Sequence, residues 1–166
     1  MTVDNAVRQK TISWQDPLPT AEVGRAMPGL EYLTAMAEGR LPAAPISAHL
    51  GMRLVSVSEG EVHFAATPDD SLYNPIGTVH GGVAATMLDS AVGCAVHSTL
   101  PAGVGYTSVE LKVSFVRAVT AASGEIHARG RVVKGGSRIA FAEADLRDAE
   151  GALLATASST LLIVRP

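Results

Sequence analysis

Cysteine is almost absent from this chain, and aromatic residues are scarce. The 166 residues include one cysteine, Cys94, so no disulfide can form within the chain. Aromatic residues make up 4% of the sequence, whereas hydrophobic residues as a whole make up 47%. The core must therefore be built mainly from alanine, valine, leucine and isoleucine. Cys94 lies in an apolar run, and we expect it to pack there as a small hydrophobic residue.

The chain also lacks an excess of basic residues and a segment long enough to span a membrane. It has 13 Lys and Arg against 16 Asp and Glu, and no basic patch of the kind that nucleic acids require. The polar N-terminal sequence MTVDNAVRQK has no apolar signal-peptide core. The apolar run from Gly81 to Val96 is too short for a membrane span and is interrupted by Asp89. We therefore expect a cytoplasmic protein with neither nucleic acid nor membrane as a partner.

Proline density divides the chain into two parts. Five prolines fall within residues 1–48, and between Pro28 and Pro42 the apolar residues are spaced three or four apart, which predicts one short helix. We expect residues 1–48 to form an N-terminal arm with that helix, and residues 49–166 to form the main domain.

The main domain shows strand-like patterns on both sides of one helical pattern. The segments MRLVSVS and EVHFAAT flank Glu59-Gly60 and predict a hairpin, and the alanine-rich run that follows favours a helix. Three later segments, GEIHARGRVVK, SRIAFAEADLR and LLATASSTLLIV, predict strands, the first two joined at Gly135-Gly136. In TSVELKVSF, residues Thr107, Val109 and Leu111 alternate with polar residues, which predicts that all three face the core. Because a helix that is apolar nearly all round must be enclosed, we predict an α+β domain in which a curved antiparallel sheet wraps around one long central helix.

Asp89 is the one charged residue in the predicted helix. Residues three and four apart are neighbours on a helix, so Asp89 shares a face with small residues, among them Thr86 and, further back, Gly82. A buried carboxylate without a partner is costly, and small neighbours leave space beside it. This arrangement indicates a site, with Gly82 and Thr86 as candidate substrate contacts.

The start of the helix is a second candidate site. In His80-Gly81-Gly82 the backbone N–H groups of both glycines have no partner within the helix, and the positive end of the helix dipole lies behind them. Without side chains, a ligand oxygen can approach closely. Such amides suit a carbonyl oxygen that gains negative charge during acyl transfer.

These two candidate sites are too far apart to act together in one chain. Gly81 and Asp89 are eight residues apart, about 12 Å along a helix axis. If both act on one substrate, they must come from two chains whose helices run antiparallel. We therefore predict a symmetric homodimer with two shared sites.

The segments NPIGTVHGGVAATMLDSA and YTSVELKVSFVRAV resemble the hotdog-fold acyl-CoA thioesterases. The most similar branch contains the phenylacetate-pathway thioesterase and the 4-hydroxybenzoyl-CoA thioesterases, and the similarity extends over about residues 29–164. The resemblance implies a hotdog fold, dimers that pair into tetramers, and hydrolysis of an acyl-CoA thioester. It implies no cofactor, because coenzyme A is part of the substrate.

The resemblance also implies a role for several residues. Asp89 would be the catalytic carboxylate, as general base on water or as nucleophile. The N–H of Gly81 would polarise the thioester carbonyl, Asn74 would orient the carbonyl or the attacking water, and His80 would position the loop. Thr107 would lie near Asp89 of its own chain.

Basic residues near strand ends are candidates for binding the phosphates of coenzyme A, and solvated surface charge is the alternative. Loop amides could contribute to the same contact. The residues are Arg117, Lys134, Gly136, Ser137 and Arg138. The other histidines lack the spacing of metal ligands, so we expect no metal.

Two other functions are alternatives to hydrolysis. One is a non-catalytic acyl-CoA binding or sensing module on the same fold. The other is a hydratase, which needs an Asp–His pair, and His80 and Asp89 are too far apart on one helix to form it. The sequence leaves open whether the acyl group is aryl or medium-chain.

Overall fold

The N-terminal region contains three helices. The computed structural model describes residues 6–165. Helix α1 spans Pro17–Arg25, α2 spans Gly29–Ala37 and α3 spans Pro45–Leu50. The prediction of one short helix was incomplete, because only α2 corresponds to it. Pro17 and Pro45 begin helices instead of interrupting them, since a proline at the first helical position loses no hydrogen bond.

All six strands belong to one antiparallel sheet. They are β1 Met52–Ser58, β2 Glu61–Ala66, β3 Gly105–Phe115, β4 Ile126–Lys134, β5 Ile139–Arg147 and β6 Leu153–Val164, and their order in the sheet is β1-β2-β4-β5-β6-β3. The predicted hairpins form, but β3 pairs with β6 and not with β4, its successor in the chain. Strands β1 and β3 therefore form the two edges of the sheet.

One long helix, α4 at Gly81–His97, packs against the sheet and forms the centre of the core. Leu88, Ala91 and Val92 have no exposed surface. The predicted α+β fold with one central helix is confirmed. Strand β4 lies directly on α4: any side chain at Gly130 would clash with the carbonyl group of Ala91. Within residues 6–165, no helix has both the length and the apolar character needed to cross a membrane.

Strand β3 contains a β-bulge that changes which residues face α4. Opposite β6, Ser108 pairs with Leu161 but Glu110 pairs with Thr160, so Val109 is an extra residue. An extra residue reverses the inward and outward alternation from that point on. The prediction that Thr107 and Val109 face inward with Leu111 was therefore wrong: Thr107 and Val109 are exposed, and Val109 retains 62% of its surface.

Candidate functional site

The start of α4 presents one backbone N–H that has no acceptor. His80 caps the helix, and its Nδ1 accepts a hydrogen bond from the Gly82 N–H at 2.9 Å. The N–H of Gly81 has no acceptor among the described residues, as expected at the first position of a helix. The sequence predicted two available amides, but His80 occupies that of Gly82, so Gly81 alone is left to bind a ligand oxygen.

The loop before α4 is held by Asn74. Its Oδ1 accepts from the backbone N–H groups of Ile76 and Thr78, both at 3.1 Å. Its Nδ2 donates to Thr78 Oγ1 at 2.8 Å. An amide nitrogen carries two hydrogens, so the second remains for a ligand. Asn74 thus fixes the loop that leads to His80 and keeps one donor available.

A cavity of about 250 Å³ opens at this end of the helix. Asn74, His80, Gly81 and Arg117 all line it, so the structure brings these four predicted site residues together. Phe115, at the end of β3, also lines it, and a Cβ at Gly81 would lie 3.1 Å from Cζ of its ring. Phe115 is a site residue that the sequence does not reveal, since an aromatic at the end of a strand gives no signal of this contact.

Asp89 lies two turns further along α4, and Ser108 is its hydrogen-bond partner. The hydroxyl of Ser108 donates to Asp89 Oδ1 at 2.8 Å. Thr107, which was expected at this place, faces away from α4. Its partner on β6 is the exposed Leu162, whereas the partner of Ser108 is the buried Leu161. The resemblance implied Thr107 at this place, but the bulge at Val109 turns Ser108 toward α4 instead, and the bulge is not visible in the sequence.

Asp89 and Ser108 line a second, larger cavity of about 570 Å³. Cys94 and Tyr106 also line it. Tyr106 packs onto α4 at Gly93, where a Cβ would lie only 2.7 Å from the tyrosine Oη. Burial raises the pKa of the Cys94 thiol to about 12, so this thiol is neutral at physiological pH and is no nucleophile.

Four of the predicted phosphate contacts lie elsewhere. Lys134 ends strand β4, and the exposed β4–β5 turn contains Gly136, Ser137 and Arg138. None of the four lines either cavity. Because Ile139 pairs with Leu162, and Leu162 with Thr107, this turn is level with the start of β3. Arg117 lies beyond the end of β3, so one chain does not bring these basic groups together.

The helix face between the two cavities carries the other predicted contact, Thr86. Its hydroxyl donates to the carbonyl oxygen of Gly82 at 2.8 Å, within the helix. A hydroxyl bonded in this way can still accept a hydrogen bond. Gly81 and Asp89, at the two ends of this face, line different cavities.

Comparison with known proteins decides the family. The model of the thioesterase superfamily matches residues 76–155. A candidate esterase of Halobacterium salinarum is 35% identical over 127 residues, which cover 70% of this chain and 82% of that protein. This protein belongs to the thioesterase superfamily. The matched segment of this thioesterase family member includes Gly81, Asp89 and Ser108, whereas Asn74 and the three N-terminal helices lie outside it.

Solved structures of other thioesterases share its fold. A candidate thioesterase from Ralstonia eutropha, described as related to phenylacetic acid degradation, is 28% identical and has a TM-score of 0.72, over 79% of this chain and 98% of that one. A thioesterase family protein from Silicibacter pomeroyi is 27% identical with a TM-score of 0.71, over 81% and 99% of the two chains. The resemblance to the phenylacetate-pathway branch is confirmed.

Proposed function

We propose that this thioesterase family member hydrolyses acyl-CoA thioesters at two sites shared by a symmetric homodimer. The observation that carries the proposal is the separation of the two half-sites. The free N–H of Gly81 and the carboxylate of Asp89 line different cavities of the same chain. Each half-site has one component of a thioester hydrolase, and neither has both.

The edge strand β3 supports such a dimer. Among the described residues no strand pairs with its outer edge, and the side chains of Val109 and Phe115 are 62% and 61% exposed. An unpaired edge of 11 residues is a ready partner for a second copy of itself. If two β3 strands pair antiparallel, the central helices also run antiparallel, and Gly81 of one chain approaches Asp89 of the other.

The chemistry follows from this arrangement. The Gly81 N–H donates to the thioester carbonyl oxygen and stabilises the negative charge that forms when the carbon becomes tetrahedral. Asp89 of the other chain takes a proton from the attacking water, or attacks the carbon itself to give an anhydride that water then hydrolyses. The C–S bond breaks, and the coenzyme A thiolate takes up a proton. Ser108 holds the carboxylate in one orientation through its hydrogen bond to Oδ1.

The same antiparallel pairing would place the remaining basic residues near the site. The β4–β5 turn lies level with the start of β3, and Arg117 lies beyond its end. In a dimer the turn of one chain therefore approaches Arg117 of the other. Arg117 and, across the interface, Lys134 and Arg138 are then suited to bind the phosphates of coenzyme A. Pairing of two dimers into a tetramer belongs to the same proposal.

The test is release of free thiol from a panel of acyl-CoA substrates. We expect Asp89→Asn to lower kcat at least about a hundredfold, a usual effect of removing a general base. Glu61→Gln is the matched control, because this exposed carboxylate lies on the outer face of the sheet. Gel filtration should show both variants as dimers. Full activity of Asp89→Asn, or saturable acyl-CoA binding by the wild type without thiol release, would contradict the proposal, and the second result would indicate a binding module.

A further inference from the structure

The cavity beside Asp89 extends beneath the N-terminal helices, and its wall is apolar. It has a volume of about 570 Å³. Cavities of about 300–1,000 Å³ are typical of small-molecule sites. Helix α2, helix α3 and strands β1 and β2 all contribute hydrophobic side chains to its lining: Leu33, Met36, Ala37, Ile46, Leu54 and Phe64.

The cavity offers no free positive charge to a substrate. Of its described lining residues, only Asp89 and Arg53 are charged. The guanidinium of Arg53 binds both carboxylate oxygens of Glu125, at 3.0 and 2.8 Å. The Cys94 thiol is neutral, since burial raises its pKa to about 12. An acyl group with a terminal carboxylate would lose its hydration here without a compensating partner.

This wall is fixed in place by contacts with α4 and β3. The Gly29 N–H donates to the Leu100 carbonyl oxygen at 2.9 Å, and Gly29 lies so close to His97 that no side chain would fit. The rings of Tyr32, His97 and Tyr106 then form a continuous series, with centroids 5.8 and 5.5 Å apart. Helix α2 is therefore a fixed wall of the cavity.

The wall also lies outside the segment that matches the thioesterase superfamily. That match begins at residue 76, whereas the wall residues from the arm, β1 and β2 precede it. The match to the superfamily model by itself therefore does not specify this wall.

We propose that this cavity receives the acyl group of the thioester, that it selects an uncharged, apolar acyl group over a short one, and that Ala37 sets its size. This rests on the proposed function, because Asp89 at the cavity places the thioester carbon at its mouth. Each methylene group that moves from water into an apolar site increases the affinity about fourfold, so an acyl group that fills the cavity binds more tightly than a short one. Ala37 is a half-buried wall residue at the end of α2, and a larger side chain there takes up the space the acyl group would occupy.

The test uses coenzyme A thioethers, which bind but cannot be hydrolysed. Calorimetry compares S-octyl-CoA with S-methyl-CoA on the dimeric wild type, where we expect at least tenfold tighter binding of the octyl compound. Ala37→Leu should reduce this preference at least fivefold. Glu31→Leu puts the same side chain on the exposed face of α2, outside the cavity, and should leave the preference unchanged. Ala43→Leu, at another lining position, replaces Ala37→Leu should that variant not fold.

Three results would overturn the inference. They are equal affinity of the wild type for the two thioethers, an octyl preference that folded Ala37→Leu retains in full, and an octyl preference that folded Ala43→Leu retains in full. A separate assay with octanoyl-CoA keeps the two proposals apart. If the octyl preference responds to the wall variants but no thiol is released, hydrolysis is wrong and the cavity assignment stands.

Discussion

The hydroxyl of Ser108 donates a hydrogen bond to Oδ1 of Asp89 at 2.8 Å, from an edge strand to the middle of the central helix. The bulge at Val109 turns the side chain of Ser108 toward α4, and hydrogen bonds from strand β6 stabilise the bulge. Ser159 Oγ donates to the Glu110 carbonyl oxygen at 2.6 Å, and the Thr160 N–H donates to Glu110 Oε1 at 2.7 Å. The orientation of the candidate catalytic carboxylate therefore depends on a local irregularity of β3.

Ser108→Ala should lower kcat about tenfold, because Asp89 loses the hydrogen bond that fixes its orientation. Ser108→Thr, which keeps the hydroxyl, should restore most of the activity. Thr107→Ala is the matched control, since this neighbouring side chain is exposed on the opposite face of the strand. Steady-state kinetics with one acyl-CoA substrate measures all three, and equal effects of the Ser108→Ala and Thr107→Ala variants would argue against the assignment.

Gly81→Pro should abolish turnover with little loss of stability. Proline is favoured at the first position of a helix, and it removes the one N–H that is free to bind the carbonyl oxygen. Gly81→Ala keeps the N–H but adds a Cβ about 3.1 Å from the Phe115 ring, so it controls for bulk. We expect at least about a hundredfold lower kcat for the proline variant than for the alanine variant.

Hybrid dimers test whether the sites are shared. A dimer of one Asp89→Asn chain and one Gly81→Pro chain has one site with both defects and one intact site. Differently tagged chains, co-expressed and purified through both tags, should recover about half of the wild-type activity per dimer. Hybrids that are as inactive as the two parent variants would place both groups of a site in a single chain and contradict the shared-site proposal.

Gly130→Ala should destabilise the fold by about 1–3 kcal/mol or more, because the added methyl group clashes with the backbone of α4 at Ala91. Neither the strand nor the helix can move without disturbing its hydrogen bonds. Gly135→Ala is the control, since no atom lies within 4 Å of a Cβ at that position. Urea unfolding measures both variants, and equal midpoints would show that β4 does not lie as close to α4 as described.

Stability should fall as the pH drops below neutrality. Burial lowers the pKa of His97 beneath its usual 6.5, and burial with the charge of Arg129 lowers that of His63. In the unfolded chain these histidines bind protons near pH 6.5, whereas in the folded chain they stay neutral to a lower pH. The free energy of unfolding therefore decreases as the pH falls from 6.5 toward the pKa of the folded state.

Replacing His97 should make the free energy of unfolding less dependent on pH. His97→Phe keeps a ring between Tyr32 and Tyr106, and its free energy of unfolding should change less between pH 7.5 and 5.5 than that of the wild type. His49→Phe, on the exposed side of α3, is the control variant. An unchanged pH dependence in His97→Phe would refute the assignment.

Local patterns in the sequence determined the elements of the main domain. Period-two alternation and turn glycines predict the strands, and the alanine-rich run predicts the central helix, which spans Gly81–His97. The helical rise separates Gly81 from Asp89 by about 12 Å, whatever surrounds them. The sequence therefore predicts two half-sites that one chain cannot join.

Only the tertiary structure decided which groups surround Gly81 and Asp89 in these proposed half-sites. The bulge that brings Ser108 to Asp89 depends on contacts between β3 and β6, about fifty residues apart in the chain, and no local pattern encodes them. The choice of Gly81 as the free amide depends on the rotamer of His80, and the wall of the larger cavity depends on how α2 packs against α4. Periodicity specifies which face of an element is apolar, but only packing between distant elements fixes register and cavity shape.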